Sequence, residues 1–301
     1  MNKKTLASIM VILGGVFWGV VSIFVNKLNS YNLEALDIAV LRMFFAAVIF
    51  SAFVLIKDKK LFIIKKKDLK FFLLNGLCSG LLFNGLYFYT IIKSEASIAV
   101  MLLYTSPIFV FILTRVSFKA RITKTKYLCM VVTIIGCVFV SGALGGFKEN
   151  ASTLSIITGI LTGAVYGTYT VITRYLATKY NPICVTVYGF IFGLLFMLPF
   201  ANYRHIFTSI SNKPQIIFWA VGIGLVCSVL ANATFTWGIS YIQSSTASIL
   251  SASEPFTGAV VGMLFFNESH NFIKIIGILL VFLAIIIQAF EKDEKISKSV
   301  S

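Results

Sequence analysis

Long apolar runs separated by short charged clusters organise this chain from end to end. Stretches free of Lys, Arg, Asp and Glu extend from Thr5 to Asn26, Phe71 to Ile92, Ala96 to Thr114, Tyr127 to Phe147, Asn150 to Thr173, Tyr180 to Tyr203, Pro214 to Ser253 and Ile275 to Phe290. A helix that crosses a bilayer needs about 20 mostly apolar residues. Two further spans hold isolated charges: Leu36 to Ile56 contains Asp37 and Arg42, and Thr246 to Phe266 contains Glu254. The Pro214 to Ser253 stretch is too long for one span and divides at the polar run Gln243-Ser244-Ser245. The pattern predicts an all-α integral membrane protein with ten transmembrane helices and almost nothing left for a soluble domain.

Composition agrees. The 301 residues are 58% hydrophobic and 12% charged, about half the charge of a soluble domain. The mean hydropathy is +0.92. A net charge of +15 would suggest nucleic acid on a soluble fold; here the bases mark one face of a membrane protein, and no nucleic-acid partner is expected. With the N-terminus inside, 19 of the 26 Lys and Arg residues fall in cytoplasmic segments, so the positive-inside rule places both termini in the cytoplasm. Lys3-Lys4 before the first run resembles a signal-peptide n-region, but the long apolar run reads as a retained helix. The richness in Lys, Ile and Phe suits an AT-rich bacterial genome, and hence a multi-pass protein of the bacterial inner membrane.

Cys78, Cys129, Cys137, Cys184 and Cys227 all fall in spans without CxxC spacing and read as packing residues. His205 and His270 fall in outer loops, so no buried metal set is built from them. No metal and no cofactor is expected.

The chain also repeats itself. Gly15-Val16-Phe17-Trp18-Gly19 matches Gly163-Ala164-Val165-Tyr166-Gly167 at an offset of 148 residues, and the same offset pairs Asn84 with Asn232, Tyr89 with Trp237, Ala99 with Ala247, Pro107 with Pro255 and Lys126 with Lys274. The reading is a duplication of five helices: residues 1–148, residues 149–292, and a cytoplasmic tail at 293–301. A unit with an odd number of spans enters the membrane upside down in its second copy. Inverted repeats of this kind characterise secondary transporters, whose substrate site lies near the midplane between the halves. Pro107 and Pro255 then sit at similar depths from opposite faces, as kinks that either gate the cavity or serve packing.

The Gly-Val-Phe-Trp-Gly run, Leu41-Arg42-Met43-Phe44-Phe45-Ala46, Glu254-Pro255, and Phe266-Asn267-Glu268 with Gly277 together resemble EamA-type proteins of the drug/metabolite transporter superfamily. Ala120 stands where the family has a loop glutamate, and Asn267 replaces a glycine. The resemblance covers essentially the whole chain. It implies ten helices in two inverted halves, a cavity formed by spans 1–4 and 6–9, and peripheral spans 5 and 10. Substrates in the family range over amino acids, other metabolites and small organic cations.

Charged groups inside a bilayer cost at least about 2.5–3.5 kcal/mol and are functional candidates by default. Glu254 either binds a proton or a substrate amine, coupling the two, or supports the Pro255 kink through a packing hydrogen bond. Arg42 either holds a carboxylate bidentately, pairs with Asp37, or snorkels to the interface. Trp18, Tyr87, Tyr89, Tyr104, Tyr166, Tyr169 and Trp237 offer aromatic faces to an ammonium group. About half of them are expected at the cavity. Asn84 and Asn232 either bind substrate or tie helices together. Glycines at four-residue spacing, Gly15 and Gly19 and then Gly159, Gly163 and Gly167, allow close helix crossings. No nucleotide-hydrolysis motif is present.

The sequence therefore reads as a secondary, proton-coupled transporter of a small amine-bearing, amino-acid-like metabolite, working by alternating access. A carrier of small organic or quaternary ammonium cations is the alternative. Readings from another class are an intramembrane enzyme, which would need a catalytic set not visible here, or a non-transporting scaffold. The expected partners are the solute, the lipid bilayer, and a second copy through the peripheral helices.

Overall fold

The structure, a computed structural model, describes residues 3–93, 99, 102–118, 122–140, 153–265 and 272–290, and these contain helices and turns but no strand. The helices are α1 (Lys3–Asn29), α2 (Ala35–Lys57), α3 (69–93), α4 (Ser106–Phe118), α5 (Lys124–Val140), α6 (Thr153–Lys179), α7 (Pro182–Met197), α8 (Tyr203–Asn212), α9 (Gln215–Ile239), α10 (Ser244–Phe265) and α11 (Phe272–Phe290). Seven stretches among the described residues are long and apolar enough to cross a membrane, and Ser106–Phe118 and Ile275–Phe290 are shorter apolar helices. The predicted spans at Ala96 to Thr114 and Tyr127 to Phe147 extend into residues outside those described. The predicted division at Gln243-Ser244-Ser245 falls where α9 ends and α10 begins.

Two helices are interrupted inside the bundle. α1 breaks at Val20, and α10 breaks at Ser251-Ala252, just before Glu254 and Pro255. A matching turn at Tyr104-Thr105 precedes α4 and Pro107. α3 and α9 carry π-helical turns, at Cys78–Leu82 and Leu225–Leu230. The 148-residue offset superimposes Leu82 on Leu230. The two related asparagines bond back onto these turns: Asn84 Nδ2 donates to the Gly80 carbonyl at 2.5 Å, and Asn232 Nδ2 to the Ser228 carbonyl at 2.9 Å, where each carbonyl also accepts the backbone amide three residues on.

Helix pairings recur under the same exchange. α1 packs on α9 and α10, while α6 packs on α3 and α4; α9 packs on α2, and α3 on α7. The glycines explain the close approaches. A methyl on Gly15 would collide with Ser253 Oγ and one on Gly163 with Thr105 Oγ1; Gly19 faces Thr257, and Gly167 faces Phe109, in the same relation. α5 and α11 pair with each other, with Gly136 against Gly277 and Val281. α11 presents Phe272, Leu279, Phe282 and Phe290 outward, as a lipid-facing helix does.

Polar ties close both ends of the bundle. At the start of α3, buried Asp68 accepts from the Tyr180 hydroxyl at 2.6 Å and lies 3.7 Å from Lys179. Burial first, and then this bond, hold the Tyr180 phenol above its ordinary value, so it remains a donor at neutral pH. Asp68→Ala is expected to lower stability by about 1–3 kcal/mol by removing the acceptor of the Tyr180 hydroxyl and the counter-charge beside Lys179; thermal unfolding of the purified protein in detergent reads this directly. At the opposite end, Asp37 accepts from the Glu34 amide at 3.2 Å, capping α2, and meets His205 Nδ1 of α8 at 2.7 Å. Asp37 is thus engaged at its own helix terminus. That removes it as the expected partner of Arg42.

Candidate functional site

Between the ties lies a cavity of about 110 Å³. Seven helices line it: α1 (Trp18, Val21), α2 (Arg42, Met43), α3 (Asn75, Cys78, Ser79, Phe83), α6 (Tyr166, Tyr169, Thr173), α7 (Thr186, Phe190 and neighbours), α9 (Cys227, Ser228, Asn232, Thr236) and α10 (Glu254). The π turns of α3 and α9 both border it. Widening a helix by one residue rotates the next side chains, and here it brings Ser79 and Cys227, equivalent positions of the two halves, to the wall.

The two intramembrane ionisable residues meet in this cavity. Arg42 and Glu254 lie within each other's field yet do not close to an ion pair among the described residues. Glu254 is placed by the break in α10, whose Glu254 amide donates to the Ser251 carbonyl at 2.9 Å. No side-chain hydrogen bond to its carboxylate is found among the described residues, so the kink is closed by backbone. Arg42 donates from Nη2 to Asn84 Oδ1 at 3.5 Å, a long contact, and its Nε is buried without a partner.

The aromatic candidates divide along the repeat. Trp18 and Tyr166, one from each half, face the cavity, with Tyr169 beside them. Tyr89 and Trp237, the other related pair, do not line it, because both lie beyond the last cavity residues of their helices, Phe83 and Thr236. Trp237 stacks at a tilt on Tyr241 at 4.9 Å instead. Tyr104 is buried in the core at the turn before α4, and Tyr87 stacks on Phe83 at 5.5 Å. Asn232 lines the cavity and accepts from the Tyr169 hydroxyl at 2.9 Å, whereas Asn84 sits behind Arg42. Both amides therefore tie the helix and also touch a cavity side chain. Pro107 and Pro255 are buried behind the lining, each just past a helix break.

Sequence reasoning passed over Asn75, whose Nδ2 donates to Thr173 Oγ1 at 2.8 Å across α3 and α6, and over Thr186 and Phe190. Small polar residues in spans carry no mark of which side of a helix they occupy. Cys78 and Cys227, read as packing, are free and buried and also line the cavity. His205 pairs with Asp37, and His270 lies outside the described residues, as do Ala120 and Asn267. Among the described residues no group of His, Cys, Asp and Glu is arranged to hold a metal.

A polytopic helical membrane protein with a charged, aromatic-lined central cavity is the architecture of a carrier. The EamA-like transporter family matches residues 5–142 and again residues 153–290, and this chain belongs to that family. It is 27% identical to an uncharacterized transporter of Archaeoglobus fulgidus over 89% of this chain and 90% of that one. It is 25% identical to the uncharacterized inner membrane transporter YicL of Salmonella typhimurium over 95% of each. A crystal structure of another protein shares the fold, with a TM-score of 0.77 at 14% identity over 93% of this chain and 95% of that one.

Proposed function

We propose that this protein is a secondary active transporter of a small amine-bearing, amino-acid-like metabolite, coupled to protons and working by alternating access about the central cavity. The observation that carries the reading is Glu254: a carboxylate without a side-chain hydrogen bond among the described residues, lining a cavity with Trp18 and Tyr166. An ammonium group would find there a counter-charge and aromatic faces, the latter worth roughly 0.5–2 kcal/mol each. The cavity is below the roughly 300–1,000 Å³ of pockets for drug-sized ligands, which suits one small solute.

The ten-span, two-repeat architecture belongs to the same proposal. The double family match, the paired π turns and the exchanged glycine contacts support it. Placement in a bacterial inner membrane with both termini inside rests on the distribution of Lys and Arg. A carrier of quaternary ammonium cations is the second reading, favoured by the aromatic lining and disfavoured by Arg42 in the same cavity.

The test is a flux screen in proteoliposomes carrying a pH-sensitive dye, with amino acids, simple amines and quaternary amines added in turn. A proton signal dependent on a primary amine supports the proposal. A signal with quaternary amines alone selects the second reading. Silence with every solute overturns both.

A further inference from the structure

We propose that the Arg42 end of the cavity is an anion subsite, oriented by Asn84, and that the substrate therefore carries a carboxylate alongside its amine. This rests on the functional reading above and deepens it. A guanidinium offers five N–H donors in a rigid fork. Among the described residues the half-buried Arg42 engages Nη2 alone, at the long distance of 3.5 Å to Asn84, and its buried Nε has no hydrogen-bond partner. An unpaired buried donor on a cation that lines a cavity is costly, and an anion accepting from the fork would relieve it.

Among the described residues the candidate ion-pair partners of Arg42 are engaged elsewhere or out of reach. Asp37 is held by its own helix cap and by His205. Glu254 lines the same cavity but does not reach ion-pair distance, so among the described residues the two charges are not paired with each other. A solute carrying both an amine and a carboxylate offers a counter-charge to each.

Asn84 is a positioning residue in this scheme. Its Nδ2 is committed to the Gly80 carbonyl at the π turn, which fixes the side chain and aims Oδ1 at Arg42. The related Asn232 is fixed in the same way on Ser228 and accepts from the Tyr169 hydroxyl. One π turn thus supports the guanidinium, and the other supports a phenol on the far wall.

The experiment compares binding of amino acids with the amines obtained by removing their carboxyl group, for example valine against isobutylamine, using ligand-induced thermal stabilisation of the full-length protein in detergent. In the wild type, at least one amino acid is expected to bind about tenfold or more tightly than its matching amine, the value of a charge-assisted hydrogen bond. Arg42→Gln should bring that ratio toward one, and Arg42→Lys should retain part of it. Asn84→Ala should reduce the ratio to an intermediate value, and Asn84→Gln or Asn84→Asp should restore some of it, which a merely structural role would not do. An amine that binds the wild type as tightly as its amino acid overturns the anion subsite and leaves the amine reading standing. So does an unchanged ratio in a folded Arg42 variant. If neither amino acids nor amines bind the wild type, the functional reading falls and the subsite with it.

Discussion

Replacing Glu254 by Gln is expected to abolish solute-dependent proton movement in proteoliposomes and to weaken substrate binding by about 2–5 kcal/mol, on the order of thirtyfold or more. Gln keeps the volume and hydrogen-bonding capacity of Glu and removes only its charge and its proton. The backbone turn that places residue 254 uses its amide and the Ser251 carbonyl, so it survives the change. Thermal stability should accordingly stay close to that of the wild type. Loss of binding together with loss of stability would instead make Glu254 a support for the Pro255 kink. Flux that persists with an unchanged proton signal would remove Glu254 from coupling altogether. The offset of 148 sharpens the expectation: the equivalent residue in the first half is Ser106, so no second carboxylate takes over at the related position.

Gly80→Ala is expected to cost about 1–3 kcal/mol or more, and to reduce the yield of monodisperse protein, because two backbones cross there without room for a methyl group. A Cβ on Gly80 would lie 2.6 Å from the Gly193 Cα and 2.7 Å from the Gly193 carbonyl oxygen. Neither atom belongs to a side chain that can swing aside, so α3 and α7 must separate. The movement would reach the cavity directly, since Gly80 also accepts the Asn84 bond at the π turn. Gly193→Ala is the control. Its added methyl would meet the nearest atoms at 3.5 Å, ordinary contact, and Ala is the better helix former. It should be neutral or slightly stabilising. Comparable losses in both variants, read by thermal unfolding and gel filtration in detergent, would show that the crossing is not limited by backbone contact at Gly80.

These two positions differ in how visible they are along the chain. Glu254, Arg42 and Trp18 stand out because a charge or a large amphipathic ring inside an apolar run is costly and so has a reason to be there. The apolar runs located the helices, since span length is set by bilayer thickness and helical rise, both local quantities. The offset of 148 residues was readable because Gly, Pro and Asn keep their spacing where the backbone geometry they serve recurs.

Other features depend on which helix lies against which. Nothing in Cys78–Leu82 or Leu225–Leu230 marks a π turn, because moving one hydrogen bond along a helix changes no composition. The neighbours of Asp37 illustrate the same point: His205 is 168 residues away, and only the fold brings α8 over the start of α2. Tyr89 and Trp237 have the same chemistry as Trp18 and Tyr166, yet they fall beyond the cavity because its depth is fixed by seven helices together. Thr173, Thr186 and Asn75 join the wall for a reason no single helix contains. The chain alone carries the apolar runs, the residue matches at an offset of 148, and the charges inside those runs that need an explanation. Only the tertiary structure decided which of those groups share a cavity, since that depends on helix rotation and on contacts between residues far apart in the chain.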